Sequence, residues 1–260
     1  MTKEKLSIVK IGGNIIEDEV ALTAFLKLFS KLEGKKIVVH GGGKRATQLA
    51  SKLGIPSKMV AGRRITDKET LDVITMVFAG LVNKKIVAKL QANNTNAIGL
   101  TGADINSVQS KKRPVKEIDF GFVGDVKSVN HVGINKLITA DFTPVFCALT
   151  HDGNGQLLNT NADTIASQIA IGMSKIYTTA LFYCFELKGV LKDFKDKESV
   201  IQKINSKTYK QLLDNGIISD GMLPKLKNCF DALQKGVHEV HIGNTTLLTK
   251  ENNQHTTITL

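Results

Sequence analysis

The chain has no tryptophan, three tyrosines, four prolines and three cysteines in 260 residues. With so few aromatic rings, stacking platforms for single-stranded nucleic acid are scarce. Cys147, Cys184 and Cys229 are odd in number and far apart. They form no CxxC pair, which argues against a disulfide framework and against a zinc site. No apolar run approaches the length of a membrane span, and no signal-peptide pattern precedes Lys10. The expected location is therefore the cytoplasm, with no membrane partner. The net charge of +11 is spread along the chain, without a block of five like charges. That pattern fits a lysine-rich solvated surface and an anionic small-molecule ligand better than a nucleic-acid footprint.

What the sequence does hold is glycine at strand ends. Ile37-Val38-Val39-His40 runs into Gly41-Gly42-Gly43, and a helix-like segment follows from Lys44. Without Cβ atoms, three consecutive amides can approach one group of oxygens. The helix behind them adds partial positive charge. A similar turn, Gly12-Gly13-Asn14, follows the apolar run that carries Lys10. Neither turn fits a familiar phosphate loop. A P-loop requires glycine where Val38 stands and Ser or Thr where Arg45 stands, and no GxGxxG occurs.

Strand patterns fall at residues 8–11, 36–40, 97–100, 143–147, 176–181 and 237–242. Helix patterns fall at 20–32, 46–53, 67–92, 160–171, 206–214 and 222–235. Their alternation predicts an α/β fold with a mostly parallel sheet covered by helices on both faces. Residues 104–129 are short, polar and turn-rich, and predict a β-hairpin decoration. Gly153-Asn154-Gly155 predicts a turn between two further strands. The strand pattern restarts at Lys175. This predicts two lobes, residues 1–173 and 174–260.

Two more clusters carry polar chemistry. In Asn159-Thr160-Asn161-Ala162-Asp163, helix capping accounts for one or two residues, but not for two amides and a carboxylate in five positions. In Ser219-Asp220-Gly221-Met222-Leu223-Pro224-Lys225, the plain alternative is a turn with a surface lysine.

Taken in order with Lys10-Ile11-Gly12-Gly13, His40-Gly41-Gly42-Gly43 and Gly62-Arg63-Arg64-Ile65-Thr66-Asp67, these clusters resemble the amino-acid kinase family over about residues 6 to 235. The resemblance implies a three-layer αβα sandwich and ATP-dependent phosphoryl transfer to a carboxylate. It is nearest to the branch acting on N-acetyl-L-glutamate in arginine biosynthesis. Lys10 and Lys225 would clamp the transferring group, and Asp163 would hold both lysines. Gly42, Gly43, Arg64, Asn159 and Asn161 would bind the acylglutamate in the first lobe. The nucleotide would lie along Lys10, Gly12, Gly13, Glu186, Leu187, Lys188, Gly189, Val190, Leu191, Ile217, Ile218, Ser219 and Lys225. Mg²⁺ would be held mainly by the ATP phosphates. The family pattern has Asp and a small residue where Glu186 and Lys188 stand, so the nucleotide contacts are the part it specifies least.

Elementary chemistry agrees with that reading. A glutamate side chain has a pKa of about 4.3 and is already a nucleophilic anion at pH 7, so no general base is needed. The obstacle is bringing it up to a polyphosphate, and cations and amides lower that barrier. Only nine residues precede Lys10, which leaves no room for the extra N-terminal helix of hexameric, arginine-inhibited relatives. A homodimer is expected. Open alternatives are N-succinyl-L-glutamate as acceptor, with Arg63, Lys111 and Lys112 as candidate cations; a kinase for aminoadipate or carrier-bound glutamate; and an inactive sensor of the same fold.

Overall fold

The computed structural model describes residues 3–60, 62–218, 222–249 and 254–260. The chain opens with β1 (Lys5–Ile11), a short helix α1 (Gly13–Glu17), α2 (Glu19–Ser30), β2 (Lys35–His40) and α3 (Gly43–Lys52). Helix α2 shows how sequence sets such an element. Asp18 caps it by accepting from the amides of Val20 and Ala21 at 2.9 and 3.0 Å. Leu22, Phe25, Leu26 and Phe29 then recur at helical spacing and are buried to 2 % exposure or less.

A small hairpin follows, β3 (Met59–Val60) with β4 (Arg63–Arg64), then α4 (Lys68–Thr75), a π-helical segment Met76–Val82 and α5 (Asn83–Gln91). The expected single helix over 67–92 is thus one helical rod with a π turn inside it. Periodicity over 3.6 residues cannot reveal a register change that leaves the same face buried. After β5 (Ala97–Leu100) come β6 (Val108–Lys112), β7 (Gly124–Val129), α6 (His131–Thr139), β8 (Thr143–Cys147), β9 (Leu149–His151) and β10 (Leu157–Asn159). The remaining elements are α7 (Ala162–Met173), β11 (Thr178–Cys184), β12 (Lys203–Ile204), α8 (Ser206–Asp214), α9 (Leu223–Gln234), β13 (Glu239–Gly243) and β14 (Thr256–Ile258).

The main sheet has eight strands in the order β12-β14-β13-β11-β1-β2-β8-β5. Every neighbouring pair is parallel except β13 with β14. The mostly parallel expectation holds, and β1 lies at its centre. The chain first adds β2, β5 and β8 on one side of β1 and then β11, β12, β13 and β14 on the other. The crevice at such a reversal, beyond the carboxyl ends of the strands, is where open α/β sheets bind ligands. In register, Lys10 lies opposite Val39 on β2 and Tyr183 on β11. The Gly12-Gly13 turn, the Gly41-Gly42-Gly43 turn and the segment from Phe185 therefore leave the sheet at one level.

The two hairpins expected at 104–129 and around Gly153-Asn154-Gly155 form a separate four-stranded sheet, β10-β9-β6-β7. Helices α1 and α6 and strands β3, β4, β12 and β14 were not foreseen. The short, polar C-terminal tail contributes β14, with Thr256 and Ile258 buried to 0 % exposure. Two alternating residues are too short a pattern to read without their neighbours.

Candidate active site

Asp163 stands in the first turn of α7, where a carboxylate is favoured by the helix dipole. Its Oδ1 is 2.7 Å from Lys10 Nζ and its Oδ2 is 2.8 Å from Lys225 Nζ. Lys10 comes from the end of the central strand and Lys225 from the first turn of α9, so three elements converge on one carboxylate. The three side chains are only 15 to 18 % exposed. Burial alone would push the Asp163 carboxyl up, but the two ammoniums outweigh it and hold it well below the usual carboxylate range. Lys225 also lies over the Tyr183 ring, 5.1 Å from its centroid. The Tyr183 hydroxyl donates to the Asp163 main-chain carbonyl at 3.1 Å. One anion holding two cations leaves a local excess of positive charge at the strand ends.

Gly42 carries φ +153°, a region that L side chains rarely adopt. A Cβ there would also meet the Phe78 ring at 3.0 Å and Val82 Cγ2 at 3.4 Å. Both come from the π segment, which packs directly beneath the turn. Gly41 is close to α7: a Cβ on it would be 3.8 Å from Ala162 Cβ, one residue before Asp163. The glycine turn and the charged triad are therefore neighbours. Lys44 Nζ bonds Asn14 Oδ1 and links the two glycine turns.

Arg64 is oriented by hydrogen bonds to the protein's own groups. Its Nη1 donates to Ser57 Oγ at 2.9 Å, and its Nη2 donates to Thr47 Oγ1 at 2.7 Å and to the Gly43 carbonyl at 3.0 Å. Burial pulls its pKa down from the ordinary arginine value. Asn159 is tied in from the other side, its Nδ2 donating to Thr66 Oγ1 at 3.0 Å. Thr66 and Gly121 form a bridge, and so do Val123 and Asn159, so β4, the 120–123 strip and β10 lie side by side. The Asn161 side-chain oxygen caps α7 by accepting from Thr164 N at 3.1 Å.

The expected nucleotide segment divides in two. Glu186 is exposed and Leu187 half-buried. Lys188 is paired with Glu198 at 2.6 Å. Gly189, Val190 and Leu191 are buried; Val190 N donates to Thr256 Oγ1 of the C-terminal strand at 2.8 Å, and Leu191 bridges to Val200. A Cβ on Gly189 would lie 2.6 Å from that oxygen, which explains why glycine persists between Lys188 and Val190. Gly12 N donates to the Cys184 carbonyl at 2.7 Å, and Gly13 has open space around it. Ile217 is half-buried and Ile218 buried, while Ser219 lies outside the described residues. Thr47, Ser57 and Asn83 belong to the site's framework but to none of the recognisable motifs. Nothing in their sequence context marks them.

The sequence pattern of the Amino acid kinase family matches residues 5–244, and the chain belongs to that family. It is 55% identical over 256 residues to an acetylglutamate kinase of Cytophaga hutchinsonii, covering 98% of this chain and 97% of the relative. It is likewise 55% identical over 240 residues to an acetylglutamate kinase of Bacteroides fragilis, covering 92% of each. Among solved structures, the crystal structure of smu.665 from Streptococcus mutans superposes with a TM-score of 0.80 at 25% identity, over 98% of both chains.

Proposed function

We propose that this chain transfers the γ-phosphoryl group of ATP to the side-chain carboxylate of N-acetyl-L-glutamate, giving N-acetyl-L-glutamyl 5-phosphate and ADP in arginine biosynthesis. The observation that carries the reading is the Asp163 carboxylate holding Lys10 and Lys225 beside the glycine turn. In this reaction a carboxylate oxygen forms the new bond to the γ-phosphorus. The bond to the β–γ bridging oxygen breaks, and its electron pair leaves with ADP. No proton moves, so the absence of a free base at the triad is no obstacle. The protein must position two anions and offset their repulsion.

Lys10 and Lys225 would face the equatorial oxygens, and the amides of Gly42 and Gly43 the acceptor carboxylate. Arg64 suits the substrate's α-carboxylate because its planar fork matches two oxygens. Asn159 and Asn161 would meet the acylamino group. In this reading, residues 1–173 hold the acceptor and residues 174–260 the nucleotide, along Gly12, Gly13, 186–191 and 217–219. Both Asp163 oxygens are engaged by lysines, so Mg²⁺ would travel on the phosphates, where it neutralises developing charge. The family resemblance supports a homodimer; a monomer by mass measurement would overturn that point.

One observation supports a second reading of the acyl group. Arg63 and Arg64 are consecutive on a strand and point to opposite faces. Arg63 lines a cavity of about 620 Å³ together with Arg113, Lys116, Glu117, Phe120 and Asp125, in which Arg113 is paired with Asp125 at 2.6 Å. With Arg113 offset by Asp125, Arg63 and Lys116 are the cations that would meet an acyl chain ending in a carboxylate, as in N-succinyl-L-glutamate, with Glu117 opposing them. An ATP-dependent assay that traps the acyl phosphate as its hydroxamate tests both readings. Turnover of the acetyl compound is expected. Equal or better use of it sinks the succinyl reading, and turnover of neither sinks both.

A further inference from the structure

His40 ends β2 at 0 % exposure, next to the glycine turn, and the proposed reaction has no step for it. Its Nδ1 lies 2.8 Å from the Gly41 carbonyl oxygen, and its Nε2 lies 3.0 Å from Asn83 Nδ2. The same Asn83 nitrogen is 2.9 Å from the Val145 carbonyl oxygen. A carbonyl only accepts, so the Asn83 atom facing Val145 is the amide nitrogen. Its second hydrogen then points at His40 Nε2, which must accept it. An imidazole that accepts at Nε2 carries its proton on Nδ1, and that proton is donated to Gly41.

We propose that His40 is a positioning residue that aims the Gly42 amide at the acceptor carboxylate, with Asn83 fixing its tautomer. The geometry is that of one peptide plane. The Gly41 carbonyl and the Gly42 N–H belong to the same planar trans unit and point in opposite directions. Holding the carbonyl toward His40 turns the N–H away from it, toward the open side of the turn. Between two glycines that plane would otherwise rotate with little steric resistance. Asn83 is the first residue after the π segment whose Phe78 and Val82 pack under Gly42. One π turn therefore supports the glycine turn twice, by packing beneath Gly42 and by hydrogen bonding through His40. π turns of this kind concentrate at functional sites. Burial pulls the imidazole pKa down to about 4 against the small opposing effect of the Gly41 hydrogen bond, so the ring stays neutral during turnover.

The inference rests on the reading of Gly42 as an acceptor-binding amide, and two measurements separate the two. In wild-type protein with ¹⁵N-labelled histidine, the His40 ring nitrogens should report the neutral Nδ1–H tautomer from pH 8 down to about pH 5. An Nε2–H tautomer, or a titration near the ordinary histidine value, overturns the proposal without reference to activity. Kinetically, His40→Asn keeps a donor on the Nδ1 side, whereas His40→Gln moves it to the Nε2 side. His40→Gln should lose about 10²-fold in kcat, the scale of a 1 Å misplacement, with KM for ATP changed less than about twofold. His40→Asn should stay within about tenfold of wild type. Equal losses in both variants, or none in either, refute the positioning role. If a variant fails to fold, the ring spectrum of wild type decides. Wild-type protein that turns over no acylglutamate would instead defeat the reading of the site.

Discussion

The two halves of the crevice are held by opposite means. The Lys10–Asp163–Lys225 group is built from charges, and its geometry follows from two ion pairs at 2.7 and 2.8 Å. The glycine turn contains no charge. It is held by a φ only glycine tolerates, by the Phe78 ring and by a neutral imidazole. The difference matches the task of each half. Charges stabilise a phosphoryl group that gains negative character wherever it sits within a few ångströms, whereas amide donors reward only correct direction.

The largest test removes a charge. Lys225→Ala should lower kcat by about 10²- to 10³-fold, the scale seen when one transition-state donor is removed, with the fold retained by circular dichroism. A loss below about fivefold would mean that the charged half does not act on the reacting group. Next comes the uncharged half. Gly42→Ala forces a Cβ into a forbidden φ and against Phe78, and should destabilise the protein by about 1–3 kcal/mol in urea unfolding while also lowering kcat. Unchanged stability would show that the turn relaxes freely.

The smallest effect is one of pH. The folded pKa of His40 lies below its unfolded value, so the unfolded chain binds more protons in between. The stability it contributes is present above about pH 6.5 and is lost as pH falls toward 4. Wild type should therefore lose about 2 kcal/mol more than His40→Gln between pH 7.5 and pH 5. Asp163 has the opposite chemistry but the same direction. Its folded pKa is depressed, so its contribution is present above about pH 4 and lost only below that. It should give no acidic limb to activity between pH 6 and 9.

The charged half was the more legible of the two. Lys10, Asp163 and Lys225 each sit in a motif that names itself: a lysine before paired glycines, a carboxylate among amides after a strand, and a lysine just inside a helix. The glycine turn was legible as a turn but not in what supports it. Phe78, Val82 and Asn83 lie about 40 residues downstream in what reads as an ordinary helix, and only folding brings them under Gly42. Thr47 and Ser57, which hold Arg64, carry no signal either, because a hydroxyl's role depends on what folds against it. The C-terminal strand escaped for a related reason. Its side chains acquire a buried face only once β13 and the strip at 189–190 are in place beside it.

By itself the sequence determined the alternation of strands and helices, the glycines at the strand ends and the residue types of the reacting group. These follow from local sterics, hydrophobic period and intrinsic charge, which act within a few residues of the chain. The tertiary structure alone decided that Lys10 and Lys225 share one carboxylate, that the turn rests on a π segment, and that His40 carries its proton on Nδ1. Each of those depends on groups about 40 to 150 residues apart in the chain coming into direct contact. Hydrogen bonds and ion pairs become specific only at that range.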